Sequence, residues 1–479
     1  MITFVISLVL LVAGYAVYGL LTEKMFRIDV SRPTPAVEMA DGVDYVAMPA
    51  WRVFLIQFLN IAGLGPIFGA IMGVMFGPAA FIWIVAGTIF GGAVHDFISA
   101  MMSVRDGGKS LPELVGRELG YGVMQVMRGF SVVLLVLVGA VFVLTPADLL
   151  ASMTPEFMGR YFWIAVIFIY YLLATVLPVD KLIGRFYPVF GIALLFMAAG
   201  IMGVLLFGGV TIPDGMADGL YSRRADSAPV FPMMFVSIAC GAISGFHATQ
   251  SPMMARCLKN ERLARPVFYG AMVAEGVVAL IWAAAAIAFT GGYEGLAEYM
   301  AAHTGGAGAL VHDISLTWLG AFGGILAMLG VIAAPITTGD TALRSARLIA
   351  SDFLRLDQRR LMMRFAVSVP LFVLTFAVMM IDFNVLWRYF AWCNQTLAVF
   401  TLWAATVYLS RSGRPYVITL IPAMFMTMVC VSYLFCAARP EGFGLGRPAA
   451  VLIASCVTAL FTAMFARHRR RMSRIVTAE

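Results

Sequence analysis

Thirteen long apolar stretches run along the chain, the first at 2–21 and the last at 446–466, parted by polar connections. Most are roughly 20 residues long, the length a helix needs to cross a hydrocarbon core of ~30 Å. Barrel strands would be about half that length, and lipid leaves backbone groups unpaired in anything but helices and closed barrels. The pattern predicts an all-α fold, a polytopic membrane bundle of about 13 transmembrane helices.

Two stretches break their own pattern near mid-length. In 53–75 the interruption is Asn60, Gly63, Gly65 and Pro66; in 231–253 it is Gly241, Ser244, Gly245 and His247. Glycine weakens a helix and proline removes a backbone donor, and such backbone is tolerated at membrane depth only against protein or a cavity. Close helix packing through small residues uses the same glycines, so each break alone is ambiguous. Their spacing is the stronger signal. Four stretches separate them, so each opens a set of five, and an odd number inverts the second set. Interrupted helices at matching places in inverted halves point to a secondary-transporter binding site. The expected organisation is an extra helix and cytoplasmic loop at 1–52, then a first five-helix repeat at 53–210. An inverted repeat follows at 211–409, with two extra helices and a basic tail at 410–479.

Composition agrees and charge adds orientation. Hydrophobic residues make up 61% of the 479, charged ones 12%, and mean hydropathy is +0.91, which excludes a soluble core of this size. The net charge of +7 sits in alternate connections: Arg256, Lys259, Arg262 and Arg265 crowd one, and 467–474 forms a basic tail. The connection at 291–312 has no Lys or Arg and carries Glu294 and Glu298. Such asymmetry places the basic side in the cytoplasm, with the N-terminus outside and the C-terminus inside. It is a topology signal, so no nucleic-acid partner is expected. The six cysteines have no metal-ligand spacing and read as reduced thiols. The first stretch lacks a basic leader and a cleavage site, so it is expected to be an uncleaved span. No Walker, GxSxG or HExxH pattern occurs, and neither enzyme activity nor a bound metal is expected.

Four segments resemble the carbon-starvation protein A (CstA) family of bacterial inner-membrane transporters. They are NIAGLGPIFG from Asn60, IVAGTIFGGAVHDF from Ile84, IACGAISGFH from Ile238 and WRYFAWCNQTL from Trp387. The likeness reaches from about residue 50 to 410. It implies peptide uptake, or pyruvate uptake in some members, during carbon limitation, and a five-plus-five inverted-repeat (LeuT/APC-like) core. The chain is shorter than the long members, and Thr249-Gln250-Ser251-Pro252 replaces the Ser/Gly/Thr-rich run expected there.

Candidate residues follow from the breaks. Asn60, Gly63, Gly65, Ser244, Gly245 and His247 form the expected substrate cradle, because the second half of a broken helix offers amides and a positive dipole end to a carboxylate. Packing with internally satisfied groups is the competing reading. Intramembrane ionisable residues are costly and mark function or internal pairing. Glu275, about mid-depth, is a candidate proton carrier, or a carboxylic acid bonded to a neighbouring helix. His247 is a candidate coupling group or a packing residue. His95 and Asp96 suggest an inner gate or proton exit, against a water-anchored pair.

The stretch at 318–350 carries Thr337, Thr338, Asp340 and Thr341. The resemblance implies that this helix meets the first break at a cation site, where hydroxyls and a carboxylate would suit Na⁺, or Asp340 alone would carry H⁺. The competing reading pairs Asp340 with Arg344 at i, i+4. Asn394 and Gln395 line the path or bridge helices through their amides.

The functional expectation is a secondary active importer of peptides or pyruvate, working by alternating access with H⁺, or else Na⁺, as coupling ion. Membrane lipids surround it, and the oligomeric state is left open. An intramembrane nutrient sensor with a transporter fold is the alternative, and a channel the third reading.

Overall fold

The structure, a computed structural model, describes all residues except 43–44, 177–178, 218, 225, 304–305, 357–359 and 477–479. Every apolar stretch forms helix among the described residues, two of them with a break inside, and the only β pairing of those residues is one bridge between Met48 and Leu258. The elements in order are α1 (Ile2–Phe26), α2 (Ala50–Ile61), α3 (Leu64–Val74), α4 (Ala79–Arg105), α5 (Leu111–Leu119) and α6 (Tyr121–Met153). Then come α7 (Arg160–Val176), α8 (Val179–Phe207), α9 (Phe235–Ser237), α10 (Gly245–Ala255), α11 (Gly270–Phe289) and α12 (Tyr293–Ala302). The chain ends with α13 (Gly306–Ala327), α14 (Ala334–Leu354), α15 (Leu361–Val378), α16 (Phe383–Arg411), α17 (Val417–Cys436) and α18 (Arg447–Val476). Nine described helical spans are long and apolar enough to cross a membrane, and α2 with α3, bent by 47°, makes a tenth.

Burial separates an inner bundle from a rim. The apolar windows of α4 and α6 are each 83% buried, against 22% for α1, α15 and α18. In lipid an outward apolar face costs nothing, so the rim helices are apolar all round, and small residues mark the inner contacts. Where α14 lies along α6, Gly139 meets Leu343, and Gly339 meets Phe142 there and Tyr171 of α7.

Both breaks exist. Helix α2 ends at Ile61, and Gly63 precedes α3 with a non-helical ψ of −132°. Helix α9 ends at Ser237, residues 238–244 are not helical, and α10 begins at Gly245. The breaks lie against each other: a side chain at Gly65 would collide with Cys240, and a Cβ at Gly69 would stand 3.0 Å from the Ser237 carbonyl oxygen.

One expected span differs. Residues 318–350 are not a single regular helix: Gly320 turns the chain at φ 62°, and a π-helical turn over Met328–Ala333 leads without interruption into α14, which has Pro335 in its first turn. Proline suits a helix start and glycine a left-handed bend, so the sequence held this division. The expected connection at 291–312 is likewise largely helical, in α12 and the start of α13.

Candidate transport site

The second break is held by side chains from three other helices. Gly241 sits at φ +88°, a conformation that favours glycine. Its amide donates to Glu275 Oε1 on α11 at 3.1 Å, and its carbonyl accepts from Thr88 Oγ1 on α4 at 2.9 Å. Thr88 lies in a π-helical turn, Gly87–Gly92, within α4. The N-terminus of α10 is capped from α16, where Asn394 Oδ1 accepts from the Phe246 amide at 2.7 Å and from Ser244 Oγ at 3.0 Å. Gln395 Nε2, the next residue on α16, donates to the Phe235 carbonyl on α9. One helix therefore ties both halves of the broken one.

Behind the break lies a fully buried ionisable set. His247 Nδ1 is 2.8 Å from Asp96 Oδ2, and His95 Nδ1 is 2.8 Å from Asp96 Oδ1. On the other ring edge, His247 Nε2 faces Glu275 Oε2 at 3.4 Å. The four side chains form a line, His95–Asp96–His247–Glu275, across α4, α10 and α11. Cys240, His247 and Glu275 also place donor atoms within 4.8 Å of one another. Each is already engaged: Cys240 Sγ with Asn394 Nδ2 at 3.3 Å, His247 with Asp96, and Glu275 with the Gly241 amide. The arrangement is a hydrogen-bonded network more than a metal cage.

The first break has a different character. Asn60 is buried, and neither amide atom has a hydrogen-bond partner among the described residues. Gly63 starts α3 with no side-chain cap. Thr338 Oγ1 of α14 approaches the Leu59 carbonyl at 3.4 Å and the Ala334 carbonyl at 3.0 Å. Thr337 and Thr341 hydroxyls donate to the Ala334 and Thr338 carbonyls of their own helix. Asp340 stands 3.5 Å from Arg344, whose guanidinium also donates to the Ala174 carbonyl.

Above the first break, Phe68, Phe142, Trp387 and Phe390 form a buried aromatic layer, with ring centroids 5.4–6.2 Å apart in the pairs Trp387–Phe390, Phe68–Trp387 and Phe142–Phe390. Beyond it lies a cavity of about 1020 Å³, lined by Phe68, Asp148, Arg160, His312, Asp313 and Asn384 among others. On the opposite side Arg105 and Glu261 form a doubly hydrogen-bonded pair at 2.9 and 2.8 Å, with Glu261 wholly buried. Glu261 also accepts from the Asp29 amide, and Arg105 donates to the Arg27 carbonyl. The pair clamps the end of α1, the end of α4 and the segment after α10 together.

The structure thus gathers Ser244, Gly245, His247, Glu275, His95, Asp96, Asn394 and Gln395 at one break, and Asn60, Gly63 and Thr338 at the other. Sequence reasoning passed over Thr88, Cys240, Arg105 and Glu261. Glu261 carried a signal, as the one acid among the basic residues of 256–265.

The family described as carbon starvation protein CstA matches residues 1–162 and 156–317. The chain belongs to that family. A Haemophilus influenzae relative, called an uncharacterized membrane protein, is 42% identical over 339 residues, 60% of this chain and 91% of its own. The peptide transporter CstA of Escherichia coli K12 is 28% identical over 342 residues, 58% of this chain and 48% of that protein. The pyruvate/proton symporter BtsT of the same organism is 29% identical over 342 residues, 58% of this chain and 47% of that one. The CstA-family chain described here spans about half the length of these two named relatives. In fold it is similar to a crystallised point mutant of the Eremococcus coleocola manganese transporter, with TM-score 0.56 at 12% identity, covering 91% of this chain and 99% of that one. A Na⁺-coupled sialic acid symporter gives TM-score 0.53 at 14% identity over 95% of this chain and 96% of its own. This CstA-family member is a multi-pass membrane protein with a transporter fold.

Proposed function

We propose that the chain is a proton-coupled secondary transporter that imports small carboxylate-bearing nutrients, peptides first and pyruvate second, by alternating access. The observation that carries the reading is the buried line His95–Asp96–His247–Glu275, joined through Glu275 to the main chain of a broken helix. Charged groups this deep are costly, and where they are retained and paired they mark proton relays and ion paths. A proton added to Glu275 weakens its hold on the Gly241 amide and on His247, which loosens the break. The halves at 53–210 and 211–409 then rock about the two breaks, with the basic side cytoplasmic. The names of the E. coli relatives, a peptide transporter and a pyruvate/proton symporter, agree with the substrate and the ion.

The substrate enters through the 1020 Å³ cavity, whose Asp148–Arg160 pair and His312 and Asp313 offer both signs of charge to a zwitterionic peptide. Below the aromatic layer, Asn60 and the uncapped start of α3 receive its carboxylate. The Phe246 amide of α10 is already taken by Asn394, so the substrate role moves to the first break. Sodium is the second reading, favoured by Thr338 Oγ1 beside the Leu59 carbonyl at that break.

The test is uptake of a labelled dipeptide and labelled pyruvate into proteoliposomes under proton or sodium gradients, with Glu275→Gln and Asp340→Asn alongside. Proton-driven accumulation lost in Glu275→Gln and kept in Asp340→Asn is the expected result. Accumulation driven by sodium alone would replace the ion. Ligand binding without flux in folded protein would assign a receptor instead.

A further inference from the structure

A second cavity, of about 780 Å³, lies on the lipid side of the broken helix. Its walls are α4, the π-helical segment Val230–Met234 with α9, and α17. Trp83, Phe235 and Phe425 form an aromatic cluster in it, with centroids 4.8, 5.4 and 5.4 Å apart. Ala79, Tyr221 and Arg447 mark its rim, at the starts of α4 and α18 and in the connection after α8, while Ile243, inside the break, marks its floor. Along α4 the lining runs from Ala79 to Gly91, ~18 Å at 1.5 Å per residue. One leaflet of a ~30 Å core is ~15 Å deep, so the crevice has the length of one acyl chain.

What fills such a crevice is decided by its surroundings and its rim. Ile82 and Phe90 are 47% and 49% exposed beside it, on a helix that otherwise crosses buried, so it opens into hydrocarbon and not into water. Arg447 at the rim has no carboxylate partner among the described residues; Cys436 is the group near it. A guanidinium at the start of a membrane helix suits a phosphate. Lower down, the buried indole N–H of Trp83 has no acceptor among the described residues. The ester carbonyls of a glycerolipid lie at that level.

We propose that this crevice binds one anionic glycerophospholipid from the leaflet at the start of α4, with its phosphate on Arg447 and an acyl chain lodged against Phe235 and Ile243. The chain end then touches both sides of the break, and the bound lipid braces α9 against α4 and α17. Nothing in this site depends on transport, so its failure and that of the transport reading are separate.

The experiment is native mass spectrometry of the purified full chain after delipidation, titrated with phosphatidylglycerol or phosphatidylcholine of matched chains. Wild type should bind the first copy of phosphatidylglycerol about fivefold more tightly, the weight of one cation against an anionic headgroup. Arg447→Gln should bring the two lipids level. Ala86→Trp, which fills the crevice, should remove the tight first copy of either, with circular dichroism and melting showing that it folds. Should that variant fail to fold, hydrogen exchange of 235–245 in wild type, slowed by phosphatidylglycerol and not by phosphatidylcholine, reads the same occupancy. Equal binding of both lipids by wild type, or tight binding kept in a folded Ala86→Trp, overturns the proposal. So does an unchanged preference in Arg447→Gln.

Discussion

Asn394 Oδ1 on α16 lies 2.7 Å from the amide of Phe246, at the start of a helix 148 residues earlier in the chain. A side-chain oxygen at a helix N-terminus contributes ~1 kcal/mol, and a buried amide left without it costs ~1–3 kcal/mol. Asn394→Ala should therefore destabilise the protein by ~2 kcal/mol. Thermal melting in detergent checks it, and a melting point equal to wild type would show that the cap contributes nothing.

His247 accepts or donates only within a set that Asp96 organises, since Asp96 contacts both histidines. Asp96→Asn keeps the shape and removes the charge that the two imidazoles share. Gradient-driven uptake should be lost while the protein remains folded and monodisperse. Uptake with an unchanged pH profile in this variant would remove Asp96 from the coupling path.

Gly245 lies against the main chain of α16, at the Asn394 carbonyl and the Ala398 amide, where a Cβ has no room. Gly245→Ala forces α10 away from α16 and should cost ~1–3 kcal/mol, the range for overpacking. Melting temperature reads this directly, and a neutral result would mean the two helices already part easily.

Glu261 has no exposure and binds Arg105 through both oxygens. Removing one partner of a buried pair costs ~3–5 kcal/mol, because the other charge stays behind. Here that cost falls where the ends of α1 and α4 meet the segment after α10, so Glu261→Gln should loosen that packing. Alkylation of Cys257, a buried thiol in the segment next to Glu261, should speed up in the variant. Equal rates would show that the clamp does not govern access.

The architecture was legible because lipid imposes length and periodicity on every span, and because glycine and proline announce breaks wherever they fall. Asn60 with Gly63 and Gly241 with Ser244 were therefore visible as interruptions. What the breaks contact was not visible. Glu275 and His247 stood out as buried ionisable residues, but their joint engagement with Asp96 depends on which faces of α4, α10 and α11 meet. The amide cradle expected at α10 met Asn394, a partner that no local pattern could supply. Asp340 was expected as an ion-coupling group with a pair to Arg344 at i, i+4 as the competing reading, and that local pair is present at 3.5 Å. Local geometry carried over; geometry between distant segments did not.

Gly241 has its amide held by Glu275 and its carbonyl held by Thr88, from helices on two sides. A residue without a side chain has only its main chain to offer, and here both ends of that offer are taken. Any event that changes Glu275 is felt by the polypeptide itself and not by a side chain that could swing aside. Under the proposed mechanism, a proton arriving at Glu275 and the loosening of the break would be a single mechanical event, with no linkage between them to slip.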